Sequence, residues 1–247
     1  MPKDLFSKQA TAYAKYRPTY PDALYDFIYS HCDKFDVAWD CATGNGQVAA
    51  VLAKRFQKVI ATDISQQQLS NAETHNTIEY SVGRAEQTNF PDATFDLITV
   101  GQAIHWFDHE RFFKEIDRVL RPGGILAFWG YGLIRFNNQI DQIIDHFYRG
   151  IIGQYWDDER KHIELSYRSI KIPFQEIDCP PLAISSTHTL ESLIGYLNSW
   201  SSVQKFKEVN QSNPIELIEM DLRLAWNNQT YNATQSNFLR LCTKTLR

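Results

Sequence analysis

The run Val37-Ala38-Trp39-Asp40-Cys41-Ala42-Thr43-Gly44-Asn45-Gly46-Gln47 decides the fold. Val37 to Asp40 has the length and apolar character of a buried strand. It ends in a turn carrying two glycines, and Val48 to Phe56 follows with helical spacing. Glycines at such a junction let the main chain turn tightly and approach a ligand. Working outward, the same alternation recurs. Val59 to Asp63 reads as a second strand, with Ser65 capping a polar helix predicted through Glu73. Ile78 to Val82 alternates like a third strand and Phe95 to Val100 is an apolar fourth. His109 to Leu120 puts Phe112, Phe113, Ile116, Val119 and Leu120 on one helical face. Pro122-Gly123-Gly124 is expected to break that helix before a fifth strand, Ile125 to Trp129. Strands alternating with helices imply right-handed βαβ units, so residues 35–130 are expected to form the core of a doubly wound α/β domain with a parallel sheet.

The flanks read differently. Residues 1–34 are expected to be helical, with Pro18 and Pro21 marking the start of a helix that carries Leu24, Phe27 and Ile28. After residue 131 the alternation lapses. Asn137 to Tyr148 and Asp157 to Leu165 look helical, Pro173 to Ser186 looks extended, three short helices follow, and Ala233 to Leu246 reads as a last strand. An interrupted second half, 131–247, implies helices inserted between late strands as a lid over the sheet's carboxyl edge.

Composition narrows the function classes. Lys plus Arg number 25 and Asp plus Glu 29, a net charge of −4, which argues against a nucleic-acid or polybasic membrane binder. The longest nearly apolar run, Ile125 to Ile134, is half the ~20 residues of a membrane span. Cys32, Cys41, Cys179 and Cys242 lie far apart without metal-site spacing, so no metal is expected, and free thiols with no leader point to a cytoplasmic protein.

The glycine turn is flanked by two acids. Asp63 ends the second strand, where a carboxylate can accept both hydroxyls of a nucleotide ribose. Gly44-Asn45-Gly46-Gln47-Val48-Ala49 also fits a dinucleotide fingerprint, which keeps an NAD(P)-dependent oxidoreductase as an alternative. Asp40 discriminates: a carboxylate ending the first strand repels a pyrophosphate and attracts an ammonium. A ligand bearing an ammonium and a ribose is S-adenosylmethionine (SAM), whose demethylated product is S-adenosylhomocysteine. A SAM-binding regulator without catalysis is a third reading.

These motifs together resemble the class I SAM-dependent methyltransferases, in particular the type 11 methyltransferase domain. Asp40-x-Ala42-x-Gly44-x-Gly46, Ala61-Thr62-Asp63-Ile64-Ser65, Arg84-Ala85-Glu86, Phe95 to Ile98 running into Gln102-Ala103-Ile104-His105-Trp106-Phe107, and Arg118 to Gly124 each match a family segment. Tyr16-Arg17-Pro18-x-Tyr20-Pro21, His105-Trp106 and Tyr155-Trp156 are similar to the branch containing trans-aconitate methyltransferase. The resemblance implies a Rossmann-like seven-stranded sheet, mostly parallel with the last strand antiparallel. It implies that Asp40, Ala42, Gly44 and Gly46 hold the methionine end, Asp63 the ribose, Ile64 the adenine face, and Ala85 with Glu86 the adenine edge. Arg17 and Gln102 join this cofactor set. Ala42 replaces the family's commonest glycine, which is tolerable with a negative φ, and Arg84 stands where relatives carry an acid.

On the acceptor side, His105 is the candidate for positioning or base catalysis, and Tyr16, Trp106, Tyr155, Trp156 and Trp200 for substrate contacts. A carboxylate acceptor is ionised at neutral pH and needs no base, whereas a phenol or amine wants one. The expectation is a small-molecule methyltransferase, with carboxyl O-methylation favoured, acting as a monomer or homodimer without nucleic-acid or membrane partners.

Overall fold

The computed structural model describes residues 16–245, so the predicted helical content of residues 1–15, and Leu246 of the predicted last strand, lie outside the described residues. Pro21, extended at the N-cap, opens α1 (Asp22–Tyr29), whose Leu24, Tyr25 and Ile28 are buried. The alternating core follows as β1 (Val37–Cys41), α2 (Gln47–Leu52), β2 (Lys58–Asp63), α3 (Gln66–Leu69), β3 (Ile78–Val82), β4 (Phe95–Gly101), α4 (His109–Val119) and β5 (Leu120–Tyr131). The predicted apolar face of α4 is the buried one, and Asp108 caps it by accepting from the Arg111 N–H. Both α2 and α3 are shorter than predicted. After them the chain tightens into turns, as at Arg55 N, which donates to the Leu52 carbonyl rather than four residues back.

The last half carries two helical insertions. The first is α5 (Asn138–Asp145), a π-helical turn (His146–Ile151) and α6 (Arg160–Glu164), between β5 and β6 (Gln175–Ile177). The second follows β7 (Leu182–His188) and contains α7 (Leu190–Asn198), α8 (Ser201–Asn210) and α9 (Glu216–Trp226), before β8 (Tyr231–Thr243).

The strand order is β3-β2-β1-β4-β5-β8, the first five parallel and β8 antiparallel to β5. This is the predicted doubly wound sheet with one correction. Eight strands are present, not seven, because β6 and β7 pair with two separate stretches of β8, Leu241–Thr243 and Tyr231–Asn237. Between them lie Pro180 and Pro181, which have no N–H to donate to the ladder, so the outermost position is split in two. A second correction concerns Pro122-Gly123-Gly124, which lies inside β5 rather than before it. Gly123 adopts φ +77° and its N–H donates to the Lys244 carbonyl, so the irregularity is absorbed as a bulge while the strand stays paired.

Each sheet face has its own core. Leu24, Ile28, Leu52, Leu97 and Trp129 pack α1 and α2 on one face, and Trp39, Phe95, Phe112, Ile116 and Phe128 pack α4 on the other. The two insertions share a third cluster, in which Ile144, Phe147, Leu193, Leu197, Leu222 and Trp226 meet around Ile134 and Ala233 at the sheet's end. The entry to β1 is pinned by Asp96. Its carboxylate accepts from the Asp36 and Val37 N–H groups at 2.9 Å and pairs with Arg121. All four cysteines are free, and no helix among the described residues is long and apolar enough to cross a membrane.

Ala42 departs from expectation. Its φ is +56°, in the left-handed region, not negative. The chain must reverse here so that the next residue, Thr43, can donate its N–H to the Thr62 carbonyl at 2.9 Å. An L-residue with a β-carbon is strained in this region by about 1–2 kcal/mol. Ala42→Gly should therefore stabilise the protein by about 1 kcal/mol, after allowing for the greater freedom of glycine in the unfolded chain. Urea denaturation of the two proteins checks this, and a loss of stability would show that the turn carries no such strain.

Candidate cofactor and acceptor site

The sheet order reverses between β1 and β4, where a doubly wound fold opens a crevice at the carboxyl ends of its strands. The glycine turn between β1 and α2 forms one wall. Gly44 donates its N–H to Asp63 Oδ2 at 2.9 Å, and Ser65 donates its N–H to Asp63 Oδ1 at 2.9 Å. The second strand's acid thus braces the turn. Gly44 and Gly46 both have positive φ, but their surroundings differ. A β-carbon at Gly44 would meet nothing within 4 Å, so the turn faces open space there. At Gly46 it would strike the Tyr80 hydroxyl, so glycine is needed for packing.

Asp40 lies behind this turn, fully buried. It accepts from Thr43 Oγ1 at 2.5 Å and from Thr99 Oγ1 at 2.8 Å. Burial pushes its carboxyl up from the ordinary carboxylate value to about 6, against the lowering effect of the two hydroxyls. Asp40, expected to hold the methionine end, is fully buried behind the turn, with each oxygen accepting a threonine hydroxyl. Ile64 is 39% exposed beside Asp63. Ala85 is buried, and Glu86 is half-buried, accepting from the Asp108 N–H at 3.2 Å. Arg84 is exposed.

A second, small cavity of about 40 Å³ adjoins the ends of β4 and β5. Gln102 (φ +54°) sits at its floor and fastens the two strands, donating its N–H to the Trp129 carbonyl and accepting from the Tyr131 N–H, both at 2.8 Å. It lines this cavity. Arg17 closes another wall, donating to the Tyr131 hydroxyl at 2.7 Å and to the Ser199 carbonyl at 3.2 Å. His105, buried, has its Nδ1 at 3.0 Å from the Tyr167 hydroxyl. Burial, and then the charge of Arg160, hold the His105 pKa well below its usual value, so the ring is neutral at physiological pH.

Of the predicted aromatics, Trp106, Trp156 and Trp200 line the cavity. Two do not. The Tyr155 hydroxyl accepts from Asn210 Nδ2 at 2.8 Å and its ring packs on Phe206, because the turn before it rotates the ring toward α8. Tyr16 lies on Gly195 of α7 and lines a neighbouring cavity on the other side of Arg17.

Sequence reasoning missed Arg160, Tyr131, Tyr196 and the Asp157–Lys205 ion pair, which closes at 2.6 Å. Arg160 ends the polar run Asp157-Asp158-Glu159-Arg160, which looks like a solvated helix start. What turns it inward is the π-helical turn, marked by the Ile152 N–H donating to the Phe147 carbonyl, which sets Tyr148 against Arg160. No cluster of three or more His, Cys, Asp or Glu side chains able to hold a metal occurs among the described residues.

A family model for the methyltransferase domain matches residues 39–128, the stretch from β1 to β5. A Dictyostelium discoideum protein described as a methyltransferase is 39% identical over 227 residues, spanning 90% of this chain and 86% of its own. The methyltransferase cfoB of Aspergillus candidus is 32% identical over 190 residues, 65% of this chain and 59% of that one. Among solved structures, one described as a type II methyltransferase of Anaeromyxobacter dehalogenans superposes with a TM-score of 0.85 at 34% identity, over 94% of this chain and 99% of that one. Likeness of this extent reaches past the shared core into both helical insertions, and the chain belongs to the class I SAM-dependent methyltransferase family.

Proposed function

We propose that the protein transfers a methyl group from SAM to a small-molecule acceptor held in the aromatic cavity, with a carboxylate oxygen as the receiving atom. The observation that carries this reading is the adjacency of two differently built spaces at one sheet edge. One is a glycine turn braced by Asp63, and the other is a cavity walled by tryptophans, two arginines and a neutral histidine. SAM supplies an activated methyl on a sulfonium. Open space at Gly44 admits the ligand's main-chain end, and the carboxylate of Asp63, at the end of β2 beside the turn, suits ribose hydroxyls. Ile64 offers an apolar face to the adenine, with Ala85 and Glu86 at its edge. Asp40, ionised above pH 6, favours an ammonium at the turn and disfavours the pyrophosphate of a nicotinamide dinucleotide.

On the acceptor side the residues position and exclude water more than they catalyse. A carboxylate needs no base, and the cavity offers it cations. The developed cavity favours an enzyme over a binding-only regulator. The reading further takes the acceptor to be a small molecule and the protein to act in the cytoplasm, as a monomer or homodimer, without nucleic-acid or membrane partners.

Titration calorimetry should show binding of SAM and S-adenosylhomocysteine and none of NAD. Binding of NAD alone would overturn the cofactor assignment. Asp63→Ala should weaken S-adenosylhomocysteine binding by about 1.5–3 kcal/mol, the usual worth of hydrogen bonds to a charged group. It should also lower the melting temperature slightly, because the Gly44 and Ser65 N–H groups lose their acceptor.

The raised pKa of Asp40 sets a pH signature. A carboxyl whose folded pKa lies above its unfolded value favours the fold at low pH, and that advantage is lost as pH rises from about 4 to about 6. The penalty above that window is about 3 kcal/mol. The ligand-free Asp40→Asn variant should accordingly melt higher than wild type at pH 8 and gain nothing at pH 4. Its affinity for S-adenosylhomocysteine should be lower and flat with pH, where the wild type tightens between pH 5 and 7. Parallel profiles for the two proteins would remove Asp40 from the binding account.

Because His105 is neutral, the wild-type rate on a carboxylate acceptor at saturating SAM should show no inflection near pH 6.5. His105→Asn should keep measurable turnover and Arg17→Ala should lose more. A rate that rises through pH 6.5 and vanishes in His105→Asn would make the histidine a titrating base, a change typically worth about 10²–10⁴-fold.

A further inference from the structure

Arg160 is the feature of the cavity that the cofactor reading leaves unused. Its guanidinium lies 4.5 Å from the ring centre of Trp156 and 5.4 Å from that of Tyr148. Nε donates to the Tyr148 hydroxyl at 2.8 Å, and that hydroxyl in turn donates to Glu164 at 2.9 Å. One edge of the fork is therefore fixed and the plane is clamped against an indole. The edge formed by the two Nη atoms makes no hydrogen bond among the described residues, and Arg160 joins no ion pair there. The carboxylate that shares the cavity wall, Asp157, is held by Lys205 at 2.6 Å. A half-buried cation, oriented in advance and lacking a carboxylate partner among the described residues, is an electrostatic deficit that an anionic ligand removes.

We propose that Arg160 is the specificity-determining residue of the acceptor site: its open guanidinium edge pairs with the carboxylate of the acceptor, whose remaining body lies against Trp106, Trp156 and Trp200. The proposal rests on the reading of this cavity as the acceptor site. A single open edge matches one carboxylate, because two parallel N–H groups fit its two oxygens. Pairing through the lone pairs facing Arg160 leaves the outward lone pair of one oxygen for the methyl carbon. On transfer the new C–O bond forms as the sulfonium C–S bond breaks, and the electron pair of that bond stays on sulfur. The acid becomes a neutral ester and the sulfonium a neutral thioether. Arg160 thereby loses its partner when the reaction is complete, so the same contact that selects the acid releases the ester.

Calorimetric titration of the S-adenosylhomocysteine-loaded protein with benzoate and trans-cinnamate, against benzamide, cinnamamide, methyl cinnamate and inorganic phosphate, tests this. At least one acid should bind about ten- to a hundredfold more tightly than its amide and its ester, the range of a charge-assisted pair. Arg160→Gln should erase that ratio, and Arg160→Lys should restore part of it. S-adenosylhomocysteine affinity and melting temperature, measured on each variant, report whether the cofactor site and fold are intact. Equal binding of acid and amide, an undiminished ratio in Arg160→Gln, no response to either acid, or tighter binding of phosphate would each overturn the proposal. Failure of the wild type to bind S-adenosylhomocysteine would instead overturn the methyl-transfer reading.

Discussion

The buried carboxylate of Asp40 organises the molecule around itself. It lies one residue before the end of β1, where the sheet order reverses, and its two oxygens accept from Thr43 in the glycine turn and from Thr99 in β4. An ionised group without solvent is tolerated only if such hydroxyls are fixed, so the turn and the neighbouring strand are held in mutual register by one side chain. From that register follow the left-handed Ala42, the Thr43–Thr62 hydrogen bond, and the position from which Asp63 braces Gly44. The penalty for burying the charge is carried by the rest of the fold, and the return is a fixed negative potential behind the turn.

The insertions solve a different problem. A doubly wound sheet provides strand ends but no roof, and here the roof is a separate apolar cluster built from α5 and α7 to α9. Trp200 packs tilted against Trp156 and edge-on to Tyr196 at 5.7 Å each, Tyr148 stands between the π-helical turn and Arg160, and Arg17 ties the segment before α1 to both β5 and the end of α7. Tyr167 is fully buried with φ +60°, a strained conformation that holds its hydroxyl against His105. Strain of this kind, beside a residue that lines the cavity, orients the imidazole without charging it.

β1, β2 and β4 were legible because strands buried on both faces read as apolar runs, and the largely exposed edge strand β3 because it alternates; all four fall within a residue or so of their predicted ends. The two acids and the glycines were legible because their spacing is set by local geometry. What the sequence concealed depends on contacts between distant segments. The sign of φ at Ala42 is dictated by Thr62, and the inward turn of Arg160 by Tyr148 in an irregular helix. Tyr155 was expected beside Trp156 in the cavity, yet adjacent residues at a turn face different ways, and Asn210 captures its hydroxyl. Pro122-Gly123-Gly124 carries the usual signature of a chain break, and only pairing with the end of β8 keeps it in the sheet.

The split outer strand bears on how the molecule behaves among its own copies. An open sheet edge invites another chain to add a strand, and the danger grows with the length and regularity of the exposed ladder. Here the border beyond β8 is made of a three-residue piece and a seven-residue piece, separated by Pro180 and Pro181. An incoming strand would find no continuous row of donors to zip against, only two short tracks interrupted by residues that have none. The interruption that spoils the regularity of the sheet is thus a guard against edge-to-edge association at this border, obtained with two prolines and no added domain.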